Sequence, residues 1–514
     1  MLNLVWFRRD LRLHDHEALS LAANEGAPVV SVFIEESFLT QHPDFSPARQ
    51  AFIRESVLSL KAALQSIGTD LLIYRGKPFE IFEHLLPSLK DRYQYIRLFC
   101  NFDYQYPEER QRDLEIQKIC QELKIDFVYG KASFLLDQPS DMDFWRQTYY
   151  AYQAETVHPT PLKLSGIPFL FDSLKPEEFD TRASASSSLF QGGEVEALKV
   201  LNSFLEGRYQ GYHWKLSRPA YTGATSLLSP HLAQGTLSTR LVSQKVRALM
   251  AELPDDKRKF ALKAFLDRIR WRDSFHQRLF FKPELLWKNH YPEFDQYYTA
   301  DTLTPKQASL FEAWCEGRTG YPLLDASMRQ LNSEGWMIFR MRAMCATFLS
   351  INLGVSWHHG ARYFMQKLVD GDTAINQWQW QMQAGIVNPL IGTFRIYNPI
   401  KNLSEKDPAL KFTRKWIPEL EGISDSIILS GQTIEQSTYP KPILDWLETK
   451  KINGKIISDL RKRICERLRS ENSTEYQEAI IARNVIKHYY AIKQKQYEKT
   501  NPDRQLSLFD EGNA

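Results

Sequence analysis

Short apolar runs alternate with helical stretches over the first 135 residues or so, and this alternation constrains the fold more than any other feature. Residues 28–34 (PVVSVFI) form an uninterrupted β-branched run, typical of a strand buried in a parallel sheet. Helical stretches are predicted at residues 15–24 and 50–67. The other candidate strands are residues 2–7, 70–74, 95–99 and 126–129. The pattern predicts a doubly wound α/β domain with a parallel sheet over residues 1–133, whose ligand site lies at the carboxyl ends of the strands.

The remaining chain differs from the first 133 residues in composition and periodicity. Residues 134–193 are rich in Pro, Ser, Asp and aromatic residues, with few periodic segments, which indicates a connector lying over the surface. Residues 194–495 show helical periodicity almost throughout and predict an all-α domain. Residues 496–514 are polar and are expected to form a disordered tail.

Composition excludes several classes of protein. No apolar run reaches membrane-spanning length, and the N-terminus lacks a signal peptide, so we expect a monomeric cytoplasmic protein without a membrane partner. A net charge of +3 is too small to indicate a nucleic-acid partner by itself. The five widely spaced cysteines predict neither disulfides nor a metal centre. They are Cys100, Cys120, Cys315, Cys345 and Cys465.

Three polar segments in the helical region are candidate site elements. Residues 221–230 (YTGATSLLSP) place small hydroxyl residues before a helix, where they form either a helix cap or an anion site. Arg342 lies between apolar residues, and a buried pair with Asp370 beside a polar cofactor competes with an ordinary surface ion pair. Trp378 and Trp380 alternate with glutamines, a pattern that suits either a base-stacking pocket or simple core packing.

Taken together, the order and the amino-acid sequences of these segments resemble those of the DNA photolyase/cryptochrome family over about residues 2–490. WFRRDLRLHDH resembles the N-terminal signature of the family. Residues 318–331 (RTGYPLLDASMRQL), 370–372 (DGD), 394–399 (FRIYNP) and 414–420 (RKWIPEL) follow in family order. The resemblance implies FAD in the helical domain. It also implies that the α/β domain could hold a second, light-harvesting chromophore of folate or deazaflavin type.

The resemblance also assigns candidate roles by position. Asp370 would pair with Arg342, Asp372 would lie beside the flavin, and Asn376 would face flavin N5. Trp271 and Trp380 would contact the lesion, while Trp378 and Trp357 would carry electrons. The residues implied to hold FAD are Tyr212, Thr225, Ser226, Leu227, Leu228, Ser229, Trp271, Arg342, Asp370, Gly371, Asp372 and Asn376. The residues implied to face DNA are Arg218, Arg272, Phe339, Arg340 and Arg395.

Several positions depart from the family pattern. Dimer-specific photolyases carry a cavity Glu where this chain has Arg268, and Phe339 and Ala343 replace the cavity Asn and Met. The outer electron-transfer tryptophan falls near Thr304, so Tyr297, Tyr298 or Trp314 would have to substitute. Phe339 offers an additional stacking face, which favours single-stranded DNA.

Two hypotheses follow. The first is a deoxyribodipyrimidine photo-lyase that repairs cyclobutane dimers by electron transfer from excited reduced FAD. The second is a cryptochrome-type blue-light photoreceptor without repair activity. Asn376 favours repair, whereas the altered cavity and the interrupted tryptophan chain favour the photoreceptor.

The C-terminal segments add two further candidates. Residues 450–469 form a basic helix that is either solvated or a secondary phosphate contact. The tail carries QLSLF, which resembles the peptide that docks repair proteins on the bacterial polymerase sliding clamp. Packing of these apolar residues back on the body is the alternative. The residues are Gln505, Leu506, Ser507, Leu508 and Phe509.

Overall fold

A five-stranded parallel sheet forms the N-terminal part of the protein. The computed structural model describes residues 1–167, 173–179, 189–300, 302–390, 394–435 and 437–479. The strand order is β3-β2-β1-β4-β5, with every pair parallel. The strands are β1 (Leu2–Phe7), β2 (Val29–Glu36), β3 (Leu71–Gly76), β4 (Ile96–Asn101) and β5 (Asp126–Gly130).

Helices cover both faces of this sheet, as the continuous apolar strands require. They are α1 (Glu17–Asn24), α2 (Ser37–Gln41), α3 (Pro47–Ser66), α4 (Pro78–Lys90) and α5 (Pro107–Glu122). Along β1, Leu4 and Trp6 enter the core built with α4 and α5, whereas Val5 and Phe7 enter the core built with α1 and α3. The predicted doubly wound α/β fold is confirmed.

The strand order places a topological switch point between β1 and β4. Crossovers run to one side from β1 and to the other side from β4, so the loops after these two strands diverge and leave a crevice. Arg8 and Arg9 follow β1, and Asp103 follows β4. This edge of the sheet is therefore the ligand site expected for the N-terminal domain.

The segment 134–193 is more structured than its composition suggested. It contains α6 (Met142–Ala154) and the short α7 (Pro176–Phe179). In α6, Trp145 and Tyr149 stack with ring centroids 5.1 Å apart and close over Phe134. Farther along, Leu164 and Phe179 are buried in the core of the α/β domain. The segment is thus partly a core element, because its apolar residues are aromatic and spaced along one helix face rather than scattered.

Helices make up the rest of the described chain. The first group comprises α8 (Glu194–Ser203), α9 (Tyr212–Lys215), α10 (Ser229–Ala233), α11 (Thr239–Glu252), α12 (Lys257–Phe281), α13 (Pro305–Glu316) and α14 (Pro322–Glu334). The second comprises α15 (Phe339–Thr347), α16 (Trp357–Lys367), α17 (Thr373–Gln383), α18 (Pro399–Lys406), α19 (Lys411–Trp416), α20 (Asp425–Ser430) and α21 (Trp446–Ser470). Pro219–Ala224, Pro283–Leu286, Pro292–Phe294 and Pro418–Leu420 are 3₁₀ turns, and Phe204–Arg208 and Phe348–Asn352 are π turns. None of the described helices is long and apolar enough to cross a membrane.

The basic segment 450–469 lies within α21, which packs one face against the helical core. Ile457 and Ile464 are fully buried there. Arg461 donates to the carbonyl oxygens of Gly385 (2.6 Å) and Val387 (3.0 Å), so this cation stabilises a loop of the same domain. Arg467 pairs with Glu293 at 2.6 Å, whereas most of the remaining lysines and arginines of the segment are exposed.

Candidate functional site

One face of α17 lines a large cavity in the helical domain. Asp372 caps the start of the helix, and its carboxylate accepts a hydrogen bond from the Ile375 amide at 3.1 Å. The α17 residues in the cavity wall recur every three or four positions, as one helix face requires. They are Ile375, Asn376, Gln379, Trp380 and Gln383. The empty space is about 1460 Å³ when the open solvent at the mouth is included.

The hydroxyl-rich segment 221–230 supplies another part of the wall. Thr225, Ser226, Leu227 and Ser229 line the cavity together with Tyr212 from α9. Leu227 has a φ of 58°, a left-handed conformation that costs free energy in a residue with a branched side chain and is found at ligand sites. Neighbouring Leu228 makes no side-chain cap and is buried in the adjacent apolar core, so it supports the wall without lining it.

Arg342 and Asp370 form the ion pair predicted as one alternative. Arg342 Nη2 lies 2.8 Å from Asp370 Oδ2, and Arg342 Nε donates to the Met337 carbonyl at 2.8 Å. The Asp370 side chain is only 2% exposed and that of Arg342 25%, so this is not an ordinary surface pair. The two residues hold α15 and the start of α17 in register at the cavity wall.

Gly371, between the two acidic residues, lies outside the main cavity. A Cβ atom at this position would come within 2.9 Å of the Arg49 guanidinium carbon. Arg49 extends from α3 and donates to the Asp44 carbonyl at 2.8 Å and to the Met365 carbonyl. The glycine therefore permits close packing between the α/β domain and the helical domain.

Asp372 is held by a histidine that sequence reasoning missed. His276 Nε2 lies 2.8 Å from Asp372 Oδ2, and His276 Nδ1 lies 3.0 Å from the Tyr104 hydroxyl. Burial alone would raise the pKa of Asp372, but the charge and hydrogen bond of His276, with the charge of Arg272, hold that pKa well below its usual range. Asp372 is therefore ionised at neutral pH. The missed signal was the position of His276 four residues after Arg272 on α12, about one helical turn along.

The cavity wall contains polar atoms that lack partners. Asp370 Oδ1 and Gln379 Oε1 are buried and accept no hydrogen bond from the described residues. Buried acceptors of this kind cost free energy unless a ligand or water donates to them. Apolar residues, including Phe275 and Ile338, form other parts of the same wall. A ligand that joins an aromatic ring system to hydroxyl and amino donors fits this arrangement, and FAD has both.

At the mouth of the cavity, an arginine lies between two aromatic rings. The Arg268 guanidinium carbon lies 4.2 Å from the centroid of the Trp271 ring and 5.7 Å from that of Phe339. Phe339 is 38% exposed. Trp271 and Phe339, both predicted from sequence, thus lie together at the entrance, and Arg268 joins them.

The arginines expected to face DNA lie in different environments. Arg340 donates to the Tyr397 hydroxyl at 2.8 Å and Arg395 is exposed. Arg218 lies 5.4 Å over the ring of Trp214, a half-exposed residue of α9. Arg272 differs from these three because it lines the cavity and pairs with Asp273 at 2.7 Å.

Of the two alternating tryptophans, only Trp380 reaches the cavity. Trp378 points elsewhere because residues two apart on a helix lie about 200° apart. Its ring stacks on Phe275 at 6.3 Å and lies 4.3 Å from the Arg278 guanidinium. The alternation WQWQMQ therefore does not line one pocket.

The expected electron-transfer residues are buried in the same region. Trp357 is fully buried, and its Nε1 donates to Asn289 Oδ1 at 2.8 Å. Thr304 caps α13 and offers no ring. A separate line of rings leaves the cavity at Trp380, because Trp314 lies 6.1 Å from Trp380 and 5.8 Å from Tyr363.

A second cavity lies at the switch point of the sheet. It has an empty volume of about 810 Å³ and is lined by Arg8, Arg9, Glu36, Asp103 and other residues of the strand ends. Burial raises the pKa of Glu36 despite the nearby charge of Arg112. The charged rim suits a polar or anionic ligand.

Comparison with known proteins agrees with this geometry. Residues 3–154 match the family described as DNA photolyase, and residues 265–459 match the FAD binding domain of DNA photolyase. A deoxyribodipyrimidine photo-lyase of Synechococcus sp. is 30% identical over 86% of this chain and 93% of its own length. A cryptochrome DASH of Gloeobacter violaceus is 28% identical over 88% of this chain and 95% of its own length.

A solved structure shares the whole architecture. The archaeal photolyase of Sulfolobus tokodaii, described with two FAD molecules and the implication of a novel light-harvesting cofactor, superposes with a TM-score of 0.74 at 30% identity. The similarity covers 90% of this chain and all of that one. With two domain matches and relatives aligned over most of its length, the chain belongs to the DNA photolyase/cryptochrome family and binds FAD.

Proposed function

We propose that this protein is a deoxyribodipyrimidine photo-lyase that uses light to repair cyclobutane pyrimidine dimers in DNA. One observation carries the proposal: the cavity lined by Asp370, Asp372 and Asn376 is also lined by Trp271 and by Phe339, which is 38% exposed. A single continuous space can therefore receive a cofactor inside and a displaced nucleotide at its mouth. Proteins that act on a base remove it from the helix and stack it on aromatic side chains.

FAD supplies, when reduced and excited by blue light, the electron that splits the dimer. The chain's part is to hold and orient the cofactor. Asn376 Nδ2 donates to the Ala361 carbonyl at 3.1 Å, which leaves its carbonyl oxygen to accept from a protonated flavin nitrogen. Ionised Asp372, fixed by His276, and the free oxygen of Asp370 would accept from donors of the cofactor. Thr225, Ser226 and Ser229 would contact its phosphates and ribityl chain.

The exposed surface of α9 and of the turn at Pro219–Ala224 suits a single strand of DNA. Trp214 and Tyr221 are 41% and 44% exposed and contact each other, with ring centroids 5.5 Å apart. Lys215 and Arg218 lie over the Trp214 ring. Exposed rings beside cations bind unpaired bases and phosphates together. Phe339 adds a further ring at the entrance, so we infer a preference for single-stranded substrate.

Illumination of the reduced protein with dimer-containing oligonucleotides tests the proposal. We expect thymine absorbance to recover in the light and not in the dark, faster on single-stranded than on double-stranded substrate. Trp271→Ala should weaken dimer binding, while Trp287→Ala, at an exposed site outside the cavity lining, serves as the control. Absence of light-dependent recovery on both substrates with FAD bound would refute repair.

A photoreceptor is the second candidate, and one observation favours it. Arg268 fills the position next to Trp271 and Phe339 at which the resemblance leads us to expect an acid, so the entrance differs from that of dimer-specific relatives. A photoreceptor would bind FAD and undergo light-driven flavin reduction without restoring any thymine. The illumination experiment above separates the two, since repair requires substrate turnover.

We also propose a second chromophore at the switch-point cavity. Its support is the position of the cavity at the strand ends of β1, β2 and β4 and its charged lining, including Arg9 and Asp103. Addition of a folate, a deazaflavin or free flavin to the purified protein should give saturable binding to one of them. Arg9→Ala should weaken that binding without loss of the FAD in the helical domain.

The C-terminal peptide is proposed to dock on the polymerase sliding clamp. Gln505, Leu506, Ser507, Leu508 and Phe509 lie outside the described residues. The support is the sequence QLSLF itself, because its Leu and Phe suit the apolar pockets that bind such peptides. A peptide of residues 500–514 should bind clamp, and a peptide with Leu508→Ala and Phe509→Ala should not; equal binding by both peptides refutes the interaction.

A further inference from the structure

Arg268 is a cavity cation without a described acidic partner. The other charged residues of the cavity lining are paired: Arg342 with Asp370, Arg272 with Asp273, and Asp372 with His276. Asp267, next to Arg268 in the chain, pairs instead with Arg270 at 2.9 Å. Within the described residues, no carboxylate lies within ion-pair distance of Arg268, and the guanidinium lies over the rings of Trp271 and Phe339.

An unpaired cation in this position carries a free-energy cost that a ligand can relieve. Burial lowers the pKa of Arg268, yet a guanidinium stays protonated in proteins, so the positive charge remains. Contacts with aromatic faces offset part of the cost. They leave the N–H donors at the edge of the guanidinium unused. Its planar fork is suited to a carbonyl pair, a carboxylate or a phosphate.

We propose that Arg268 is a substrate-specificity residue that donates hydrogen bonds to an oxygen acceptor of the displaced pyrimidine pair. The acceptor is either the phosphodiester that joins the two pyrimidines or a base carbonyl oxygen. The position supports this assignment: Arg268 lies between Trp271 and Phe339, the two rings at the entrance where a displaced base would stack. The inference rests on the proposed repair function, and it adds the residue that distinguishes damaged from undamaged DNA.

Equilibrium binding in the dark tests the assignment. Dissociation constants would be measured on FAD-loaded protein for single-stranded oligonucleotides with and without one thymine dimer. Because a hydrogen bond to a charged donor is worth about 1.5–3 kcal/mol, Arg268→Gln should weaken dimer binding ~10- to 100-fold and binding of undamaged DNA much less. Arg268→Lys keeps the positive charge but lacks the planar fork, so its affinity for dimer DNA should lie between those of wild type and Arg268→Gln. Arg270→Gln, on the same helix but paired with Asp267, is the matched control and should behave as wild type.

A second substrate identifies the acceptor. Suppose first that the phosphodiester is the acceptor. A dimer whose internal linkage is an uncharged methylphosphonate should then bind wild type weakly, and it should bind Arg268→Gln no more weakly than wild type. If a base carbonyl is the acceptor, the linkage change should lower the affinity of both proteins equally.

Two results would overturn the inference. In the first, Arg268→Gln binds dimer DNA as tightly as wild type does, and wild type repairs dimers. This result refutes the role of Arg268 and leaves the proposed function standing. The second is a loss of bound FAD, measured from the flavin-to-protein absorbance ratio, with unchanged DNA affinity, which would assign Arg268 to the cofactor. If wild type neither prefers nor repairs dimer DNA, the proposed function and this inference fail together.

Discussion

Replacement of Gly360 by alanine sets two opposing effects against each other at the wall of the FAD cavity. Gly360 lies within α16, where alanine is favoured over glycine by about 1 kcal/mol in helix propensity. However, an alanine Cβ would lie 2.2 Å from Trp380 Cη2 and 2.4 Å from Leu349 Cδ2, and Gly360 is buried. Contacts this short force a shift, and overpacking of a filled core costs about 1–3 kcal/mol. We therefore expect Gly360→Ala to destabilise the domain and push Trp380 toward the cofactor.

The matched control is Gly454→Ala, also within a helix. Its Cβ would meet only the Ile396 Cδ1 atom at 2.9 Å, the far end of a flexible side chain, so helix propensity should prevail. Flavin fluorescence during heating reports FAD release. Release should occur at a lower temperature for Gly360→Ala than for wild type, and at the same or a higher temperature for Gly454→Ala. A Gly360→Ala protein that retains FAD to higher temperature than wild type would refute the close packing of α16 on Trp380.

Three further predictions address the pH response, the Asp372 pair and electron supply. Burial lowers the pKa of His231 to about 4, so the unfolded chain binds the proton first as the pH falls below 6.5. About 3 kcal/mol of the free energy of unfolding should therefore be lost between pH 6.5 and 4. The urea midpoint of His231→Asn should vary less over this range than that of wild type. Asp372→Asn preserves a good helix cap but loses the charged hydrogen bond to His276. The free energy of unfolding at pH 7, measured by urea titration, should therefore fall by about 1.5–3 kcal/mol. An unchanged value would contradict the pairing of Asp372 with His276. Trp314→Phe should slow light-driven flavin reduction by an external thiol, because Trp314 links Trp380 to partly exposed Tyr363. If Trp314→Phe leaves this rate unchanged and Trp357→Phe lowers it, the electron-transfer path runs through the other tryptophans.

The sequence was sufficient for the architecture because that architecture depends on local periodicity. The run at residues 28–34 overlaps β2, which begins one residue later, and the residues predicted as β1 match the observed strand. In α17, Trp378 and Trp380 suggest an alternation of period two, whereas the cavity-facing residues follow the helical period. The helix α6 was missed because its buried residues are aromatic and lie among polar neighbours.

The site was predictable only in part. The Arg342–Asp370 pair could be inferred because a charge in an apolar helix needs a partner. The His276–Asp372 pair could not, because it joins residues 96 positions apart through tertiary packing. Likewise, the pairing of Arg272 with adjacent Asp273 and the unpaired state of Arg268 depend on which face of α12 meets the cavity. Composition does not determine that face.

Counting repaired dimers per protein molecule tests the central claim most directly. Reduced, FAD-loaded protein would be illuminated with an excess of single-stranded oligonucleotide containing one thymine dimer, and intact thymine pairs would be quantified by chromatography against a dark control. We predict that each protein molecule restores many thymine pairs in the light and none in the dark. Flavin that is photochemically active while the dimers remain intact would contradict the account and favour a photoreceptor.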